Sequence, residues 1–455
     1  MATLVAVALA WSRVPTRILQ HFTSWPVLAG VFLIAALAVP KLIVGFIAPC
    51  GAMQDTVASG ELLAGRSAYP SDLRPVVKRV LTDNPLPTTV SWLRGIQSSH
   101  LGCLNELQVN AHPPLVAVAL EPVVAAMGYF RPILLFQAIT LASLVLMIWL
   151  WANALGIILH PRLWALFFLV LLGSQPVLEG FRGAGLSALL AALVVTVWYL
   201  LRAERNGWAG IVLATAAGIK LFPIVACGSL LFGRMKTLLV AGVSSIGILL
   251  GIVLLQGSRI FDEYRATARL VVNYYNWLRD NYSLFANIRY FLNGNERFLR
   301  PVVVVVYLLL GLVAGIVLYR LRKYRIICCD FGMAIAATMM CLLPPVVWTH
   351  YFILLFLPFG ILSYYSRWWE SKGSSVVFFL IVASVNMHVV SLEKLSALAR
   401  TDIVLSIPTA GVLAIFCWLI IEAFKVSSRA PENAGRPLIG ELRLQRGKNP
   451  EFSTP

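Results

Sequence analysis

Charged residues are scarce in this chain, and acidic ones most of all. Asp, Glu, Lys and Arg make up 13% of the 455 residues, whereas 59% are hydrophobic, and the mean hydropathy is +0.81. A soluble domain carries about a quarter charged residues, so this composition excludes a soluble globular protein. It also leaves no room for a large soluble domain beside the apolar segments.

Metal-binding cysteine motifs and internal repeats are also lacking. Of the seven cysteines, only Cys50 and Cys103 share a polar loop, and the others lie in or beside apolar runs. A disulfide between these two and a pair of free thiols are both open interpretations. No cleavage-site pattern precedes the first long apolar run, so we expect a retained, cytoplasmic amino terminus.

Positive charge is in excess, with 37 Lys and Arg against 20 Asp and Glu. The basic clusters Arg202–Arg205, Arg234–Lys236, Arg320–Arg325 and Lys425–Lys448 each stand beside the end of an apolar run. This is the pattern of cytoplasmic loops in membrane proteins. It predicts contact with anionic membrane lipids and no nucleic acid, because no soluble basic domain with interleaved aromatic residues is present.

Apolar runs of roughly 17 to 25 residues recur along the chain, each long enough to cross about 30 Å of hydrocarbon as a helix. They predict an all-α polytopic membrane protein with about 11–13 transmembrane helices. We expect residues 1–424 to form the transmembrane domain, with extracytoplasmic loops at 48–112 and 257–300. Residues 425–455 are expected to form a basic, disordered cytoplasmic tail.

The first loop is too polar to be buried in lipid, and we expect short interfacial helices at 55–65, 75–81 and 90–96. A second unusual segment, Trp208–Phe232, has basic clusters on both sides. Either one cluster breaks the charge rule, or the segment enters the membrane and returns as two half-helices. We favour the hairpin, which tends to mark binding sites. Residues 174–183 are interpreted as irregular and polar.

Short sequence pieces along the chain resemble those of a known family. They are, in order, Asp55 with Gly65 and Tyr69-Pro70, His112-Pro-Pro114, Ala217-Gly-Ile-Lys220-Leu-Phe-Pro223, Asp280-Asn-Tyr-Ser-Leu284 with Arg289, and Trp348-Thr-His350-Tyr. Their order is similar to that in polyprenol-phosphate-sugar-dependent transferases of the GT-C architecture, specifically glycosyltransferase family 87. That family includes alpha-mannosyltransferases and arabinofuranosyltransferases of cell-envelope glycolipids.

The resemblance extends from about Trp25 to Tyr365. It departs from the family pattern at Arg182-Gly-Ala-Gly185, which stands where a Gly-Gln-Asn-like element is common. The role of that position is therefore open.

The resemblance implies inverting transfer of a hexose, with mannose favoured, or of a pentose from a polyprenyl-phosphate donor. The acceptor would be a lipid-anchored or periplasmic glycan, reached on the extracytoplasmic side of the plasma membrane. Asp55 would be the general base, and cationic groups would stabilise the departing phosphate. The expected catalytic residues are Asp55 and His350, and the expected substrate-binding residues are Lys220, Arg289, Asp280, Asn281, Tyr282 and Tyr69. No metal site and no cofactor are expected, although a divalent cation, used by some relatives, stays open.

Each of these residues also has a purely structural interpretation. Asp55 could cap a helix, Lys220 could reach toward lipid headgroups, and His350 could belong to an interfacial aromatic belt. Arg289 could be a solvated charge, and Asp280, Asn281 and Tyr282 could simply shape a turn. Glu121, next to Pro122 in an apolar run, is a further intramembrane candidate.

The rival function is a transporter or lipid-linked-sugar flippase. A polysaccharide polymerase or ligase is a third hypothesis, but such proteins usually carry their large loop late in the chain. Transporters rarely place some sixty residues between their first two spans, and the halves of this chain show no repeat. An Asp55→Asn variant would distinguish these functions, since only a transferase would lose a donor-dependent product.

Overall fold

The structure is a computed structural model. It describes residues 50–83, 110, 112–129, 131–157, 171–183, 185–275, 281–292, 294–366, 371–387 and 405–429, together with a few single residues between these ranges. Several predictions lie outside the described residues. They are the first apolar span, the helix predicted at 90–96, Cys103 of the open disulfide, Asp280 and the tail from residue 430 onward.

The described part of the chain consists of helices and their connections, with no strand. The α-helices are α1 Cys50–Leu63, α2 Arg74–Asp83, α3 Pro114–Met127, α4 Arg131–Ala154, α5 Gln175–Gly183, α6 Ser187–Arg202, α7 Asn206–Ile219, α8 Ala226–Leu230, α9 Met235–Gln256, α10 Arg259–Tyr275, α11 Leu284–Phe291, α12 Glu296–Leu321, α13 Arg325–Met340, α14 Phe356–Tyr365, α15 Lys372–Val385 and α16 Ile407–Arg429. Two 3₁₀ helices, Phe222–Val225 and Thr349–Leu355, precede α8 and α14. The predicted all-α fold is confirmed.

Four of these helices are long and apolar enough to cross a membrane, namely α4, α9, α12 and α16. Five shorter apolar stretches accompany them, at Pro114–Met127, Ser187–Arg202, Asn206–Ile219, Thr349–Tyr365 and Lys372–Val385. The long helices α9 and α12 turn large apolar side chains outward, as Leu254 and Leu308 show with exposures of 84% and 68%. Such faces are stable against lipid and not against water, so the protein is embedded in a membrane.

The core of the bundle lies where α6 packs against α4, α7 and α13. It is built from large, fully buried side chains such as Trp151, Trp198 and Phe331. A buried carboxylate, Asp330, is satisfied within this core by Trp198 Nε1 at 2.8 Å and by Arg202 at 2.8 Å. A charge buried in this way is tolerated because it is both paired and hydrogen-bonded.

The start of α7 and the start of α9 lie side by side. Asn206, at the start of α7, accepts hydrogen bonds from Arg234 and Thr237 at the start of α9, at 3.3 and 3.2 Å. The helices touch closely there, since a Cβ added to Gly210 would lie 2.7 Å from the Thr237 carbonyl oxygen. Because both helices begin at one end, the segment between them turns back, as predicted. That this hairpin enters the membrane and returns stays a prediction.

The hairpin turns where α7 ends. Lys220 adopts an extended conformation, with φ −147° and ψ 136°, and a 3₁₀ turn and the short helix α8 then lead back to α9. Backbone that leaves helical geometry inside a membrane protein persists only where protein or a cavity covers it. The break therefore identifies this end of the bundle as a place for a site.

One prediction was wrong. Residues 174–183 were expected to be irregular, yet Gln175–Gly183 forms the helix α5. Its polar residues are compatible with a helix because Gln175 Nε2 donates to Glu179 one turn later, at 2.8 Å. In addition, the segment 257–300, predicted only as a loop, contains α10 and α11.

Candidate active site

Helix α1 carries Asp55 to one end of the bundle. The helix ends before Gly65, whose φ of +68° suits glycine. A helix was predicted at 55–65; the structure has it at Cys50–Leu63, beginning five residues earlier, and residues 55–60 are buried rather than interfacial. One turn after Asp55, Ser59 donates its hydroxyl hydrogen to the carbonyl oxygen of Ala117 at 2.8 Å, which holds α1 against α3. Asp55 is only 1% exposed, so its carboxyl group is oriented by protein atoms rather than by bulk water.

The partner of Asp55 is His112, just before α3. Its Nδ1 lies 2.6 Å from Asp55 Oδ1, and the residue is 5% exposed. Pro113 and Pro114 follow, and a residue that precedes proline is disfavoured in helical geometry. Pro114 is therefore the first residue of the helix, and His112 stays outside it, where its ring reaches across to α1.

The backbone of His112 is fixed on both sides. The Tyr69 hydroxyl donates to the His112 carbonyl oxygen at 2.9 Å, and the His112 amide donates to Asn110 Oδ1 at 3.0 Å. Burial raises the pKa of Tyr69 well above its ordinary value of 10, so this hydroxyl remains a donor at any physiological pH. The predicted substrate-binding residue Tyr69 thus lies in the site, where it supports His112.

Burial lowers the pKa of His112, and the positive charge of Lys220 adds to this, outweighing the opposite effect of Asp55. At neutral pH the imidazole is therefore neutral. A neutral imidazole has one N–H, and the short contact to a carboxylate oxygen assigns that hydrogen to Nδ1. His112 therefore donates its Nδ1–H to Asp55 Oδ1.

Lys220, at the turn of the hairpin, meets the 3₁₀ helix that carries His350. Its ammonium lies 5.5 Å from the centre of the Tyr351 ring, a favourable cation–π distance. The His350 ring packs edge-on against the same tyrosine, with ring centres 4.5 Å apart. His112 thus contacts Asp55 directly, and the charge of Lys220 acts on both His112 and His350.

Aromatic side chains of α10 cover this cluster. Tyr264 stacks edge-on against Tyr69 with ring centres 5.4 Å apart, and Tyr275 meets Trp348 at 5.1 Å. Thr267 Oγ1 also donates to the Tyr69 carbonyl oxygen at 3.4 Å. Aromatic walls beside polar groups suit a ligand that has both apolar and hydroxyl faces.

Asn281 and Tyr282, predicted to bind substrate, are buried and hold the segment before His350. Asn281 accepts the amide hydrogen of Val347 at 2.9 Å and donates to the Pro345 carbonyl oxygen at 2.9 Å. The amide of Tyr282 donates to the Val347 carbonyl oxygen at 2.7 Å. Their contacts therefore shape the approach to His350.

Arg289 and Glu121 each make a contact that joins two helices. Arg289, on α11, forms an ion pair with Glu296 in the first turn of α12. Glu121, on α3, accepts a hydrogen bond from Gln256 Nε2 at 2.6 Å, which joins α3 to the end of α9. These pairs tie helices to one another. A substrate-binding role for Arg289 stays a prediction.

Among the residues that the structure describes, no group of three or more His, Cys, Asp and Glu side chains is placed to hold a metal ion. The expectation that no metal or cofactor takes part stays a prediction.

The all-helical bundle of the described residues, with its candidate membrane spans, is consistent with a membrane glycosyltransferase of the GT-C type. The chain belongs to glycosyltransferase family 87, whose family model matches residues 110–345, just over half of its length. No curated protein and no solved structure matches the chain. The resemblance to this family is confirmed, while a mannose or arabinose subtype stays a prediction.

The matched range includes His112 and Lys220 but not Asp55 or His350. The geometry supplies what the match leaves out, since it joins Asp55 to His112 and Lys220 to the helix of His350. His112 was not among the residues expected in the site. The available signal was a histidine directly before two prolines at the start of an apolar run.

Proposed function

We propose that this glycosyltransferase transfers a sugar from a polyprenyl-phosphate donor, with inversion, to a glycan or glycolipid acceptor. The observation that carries the proposal is the convergence of the buried Asp55 carboxylate with Lys220 and His350. A negative group that can take a proton and a positive group that can bind phosphate are the two requirements of such a transfer.

In the proposed step, Asp55 accepts the proton of the acceptor hydroxyl as its oxygen attacks the anomeric carbon. A glycosidic bond forms while the bond from that carbon to the phosphate oxygen breaks. The electron pair leaves with the polyprenyl phosphate, next to Lys220 and His350. One displacement inverts the configuration at the anomeric carbon.

Charge distribution supports an extracytoplasmic site. The basic residues Arg205 and Arg234 flank the start of α7 and of α9, at the end of the hairpin opposite Lys220. Lys and Arg are enriched in cytoplasmic loops, so the end that carries Asp55 faces away from the cytoplasm. We propose the plasma membrane as the location and a lipid-anchored or periplasmic glycan as the acceptor.

A lipid-linked donor suits a site at this depth, because a lysine in a membrane hairpin can meet a phosphate at the level of the headgroups while the polyprenyl chain stays in lipid. Mannose is the first sugar to test and arabinofuranose the second, on family resemblance. Tyr69, Tyr264 and Trp348 offer ring faces beside the polar groups, as sugar-binding sites commonly do.

The test uses purified protein in lipid nanodiscs with polyprenyl-phosphate mannose or arabinofuranose and a panel of glycolipid acceptors. Release of polyprenyl phosphate and formation of the glycosylated acceptor are measured together. General-base catalysis contributes about 10² to 10⁴-fold, so Asp55→Asn should lose at least about a hundredfold in kcat. Donor binding should persist in this variant.

The matched control is Asp72→Asn, which removes a carboxylate from a surface pair with Arg74 and should keep full turnover. Full turnover by Asp55→Asn would overturn the proposal. Transport of the donor across the bilayer with no released polyprenyl phosphate, for every donor and acceptor tried, would show a flippase instead.

A further inference from the structure

His112 makes the shortest contact of the candidate site, and the proposed reaction leaves it without a role. Its Nδ1 lies 2.6 Å from Asp55 Oδ1. Three features outside the ring hold it there, namely the hydrogen bonds of its backbone to Tyr69 and Asn110 and the two prolines that follow it. A side chain held so closely is suited to orienting its partner.

We propose that His112 is a positioning residue, which donates Nδ1–H to one oxygen of Asp55 and so holds the carboxylate oriented as the base. This inference rests on the proposed function, in which Asp55 takes the proton. The hydrogen bond uses Oδ1, and in the proposed step Oδ2 takes the proton of the acceptor hydroxyl. A carboxylate held in one orientation avoids the loss of reaction rate that a small misplacement of the base causes. That loss can reach about a hundredfold.

The protonation state of the imidazole matters for this role. A positively charged imidazolium would neutralise Asp55 and make it a weaker base, whereas a neutral ring orients the carboxylate and leaves its charge intact. The groups that act on His112 are Asp55 from α1 and Lys220 from the hairpin, and His112 in turn acts on His350 in the 3₁₀ helix. Burial and the charge of Lys220 lower the pKa of His112 more than Asp55 raises it, so the neutral ring is favoured.

The test compares His112→Ala with His112→Asn in the full-length protein in nanodiscs. The Asn side chain places its Nδ2–H where the histidine has Nδ1–H, so it can still donate to Asp55 but cannot titrate. We expect His112→Ala to lose about 10 to 100-fold in kcat at saturating donor, with the donor KM within about twofold of wild type. His112→Asn should recover kcat to within about fivefold.

Two results would overturn the inference. If His112→Ala kept wild-type kcat, Asp55 would not need this donor. If folded His112→Asn were as slow as the alanine variant, the ring itself would be required, as expected of an imidazole that takes the proton. Should His112→Ala fail to fold, judged by size-exclusion chromatography and thermal unfolding, His112→Leu, which also lacks a donor, takes its place beside His112→Asn.

The Asp55→Asn variant separates this inference from the proposed function. An inactive Asp55→Asn with a fully active His112→Ala would refute only the role of His112. A fully active Asp55→Asn would refute the proposed function itself, whatever the His112 variants did.

Discussion

The ammonium of Lys220 lies 5.5 Å from the centre of the Tyr351 ring, which links the turn of the membrane hairpin to the 3₁₀ helix that carries His350. Tyr351 is buried, with 7% exposure. The ring face attracts the cation without offering it a counter-charge. No carboxylate in the described part of the chain forms an ion pair with Lys220, and the leaving phosphate of the donor is the negatively charged partner that we propose.

Lys220→Met should therefore weaken donor binding more than it slows turnover at saturation. A hydrogen bond to a charged group contributes roughly 1.5–3 kcal/mol, which predicts an increase of about 10 to 150-fold in the donor KM. Lys220→Arg keeps the charge and should fall between wild type and Lys220→Met. Initial rates at varied donor concentration measure both constants.

The control for Lys220 is Lys236→Met, which removes an exposed lysine near the start of α9 and should leave the donor KM unchanged. If Lys220→Met changed neither the donor KM nor kcat, the lysine would have only a structural role toward lipid headgroups, and the proposed phosphate contact would be wrong.

Asn281 is expected to act on His350 at a distance, through the segment 345–347. Asn281→Leu removes the bonds to Pro345 and Val347 and leaves buried backbone groups unpaired, each at a cost of about 1–3 kcal/mol. We expect a lower unfolding temperature together with reduced kcat. Asn281→Asp keeps an acceptor oxygen but places a second carboxylate oxygen against the Pro345 carbonyl oxygen in a buried site, so its loss should be at least as large. Thermal unfolding and kcat are the measurements.

A matched control exists on α15, where the amide of Asn386 donates to the Val382 carbonyl oxygen at 2.8 Å near a helix end. Asn386→Asp should affect stability slightly and kcat not at all. Unchanged kcat in a folded Asn281→Leu variant would show that the geometry of the 345–347 segment does not matter to the reaction.

The sequence predicted elements whose signals are local. The glycine after α1 predicts where that helix ends. The basic clusters at the starts of α7 and α9 predict that the chain between them turns back. The helix α5 was missed because its residues are polar and few, and it is stabilised by packing against the 3₁₀ helix of His350. The periodicity of apolar residues in a sequence does not indicate stabilisation by tertiary packing.

The candidate site was predicted in part. Asp55, Lys220 and His350 were selected through family resemblance. The structure brings Asp55 to His112 and Lys220 to the 3₁₀ helix of His350, and their roles in the reaction stay predictions. The contact between Asp55 and His112 joins residues 57 positions apart, and the bonds of Asn281 reach 64 and 66 positions along the chain. Pairings at such separations depend on how helices pack, which no local pattern encodes.

A Tyr69→Phe variant tests the candidate site with a smaller change to the side chain. Tyr69→Phe keeps the ring that packs against Tyr264 but removes the hydroxyl that donates to the carbonyl oxygen of His112. We expect kcat to fall by about 3 to 10-fold, since a neutral hydrogen bond contributes roughly 0.5–1.5 kcal/mol. Tyr290→Phe, at an exposed tyrosine on α11, is the control, and equal rates for both variants would contradict a role for this hydroxyl.

The lowered pKa of His112 predicts how stability changes with pH. In the unfolded chain a histidine takes up a proton near pH 6.5, whereas the folded protein resists protonation of His112 until lower pH, because the residue is buried beside Lys220. Unfolding therefore binds an extra proton below pH 6.5. By linkage, the free energy of unfolding should fall with decreasing pH by up to about 1.4 kcal/mol per pH unit from this residue.

His112→Asn removes that titration and keeps a donor to Asp55. Its unfolding free energy should decline less steeply than that of wild type between pH 6.5 and the lowered pKa of the folded state, while the two proteins should run in parallel between pH 7 and 8. Thermal or denaturant unfolding across this range measures the difference in slope. A steeper wild-type loss of stability toward high pH would mean that the folded protein binds the proton more tightly, and the neutral imidazole on which the orientation of Asp55 depends would then be the wrong assignment.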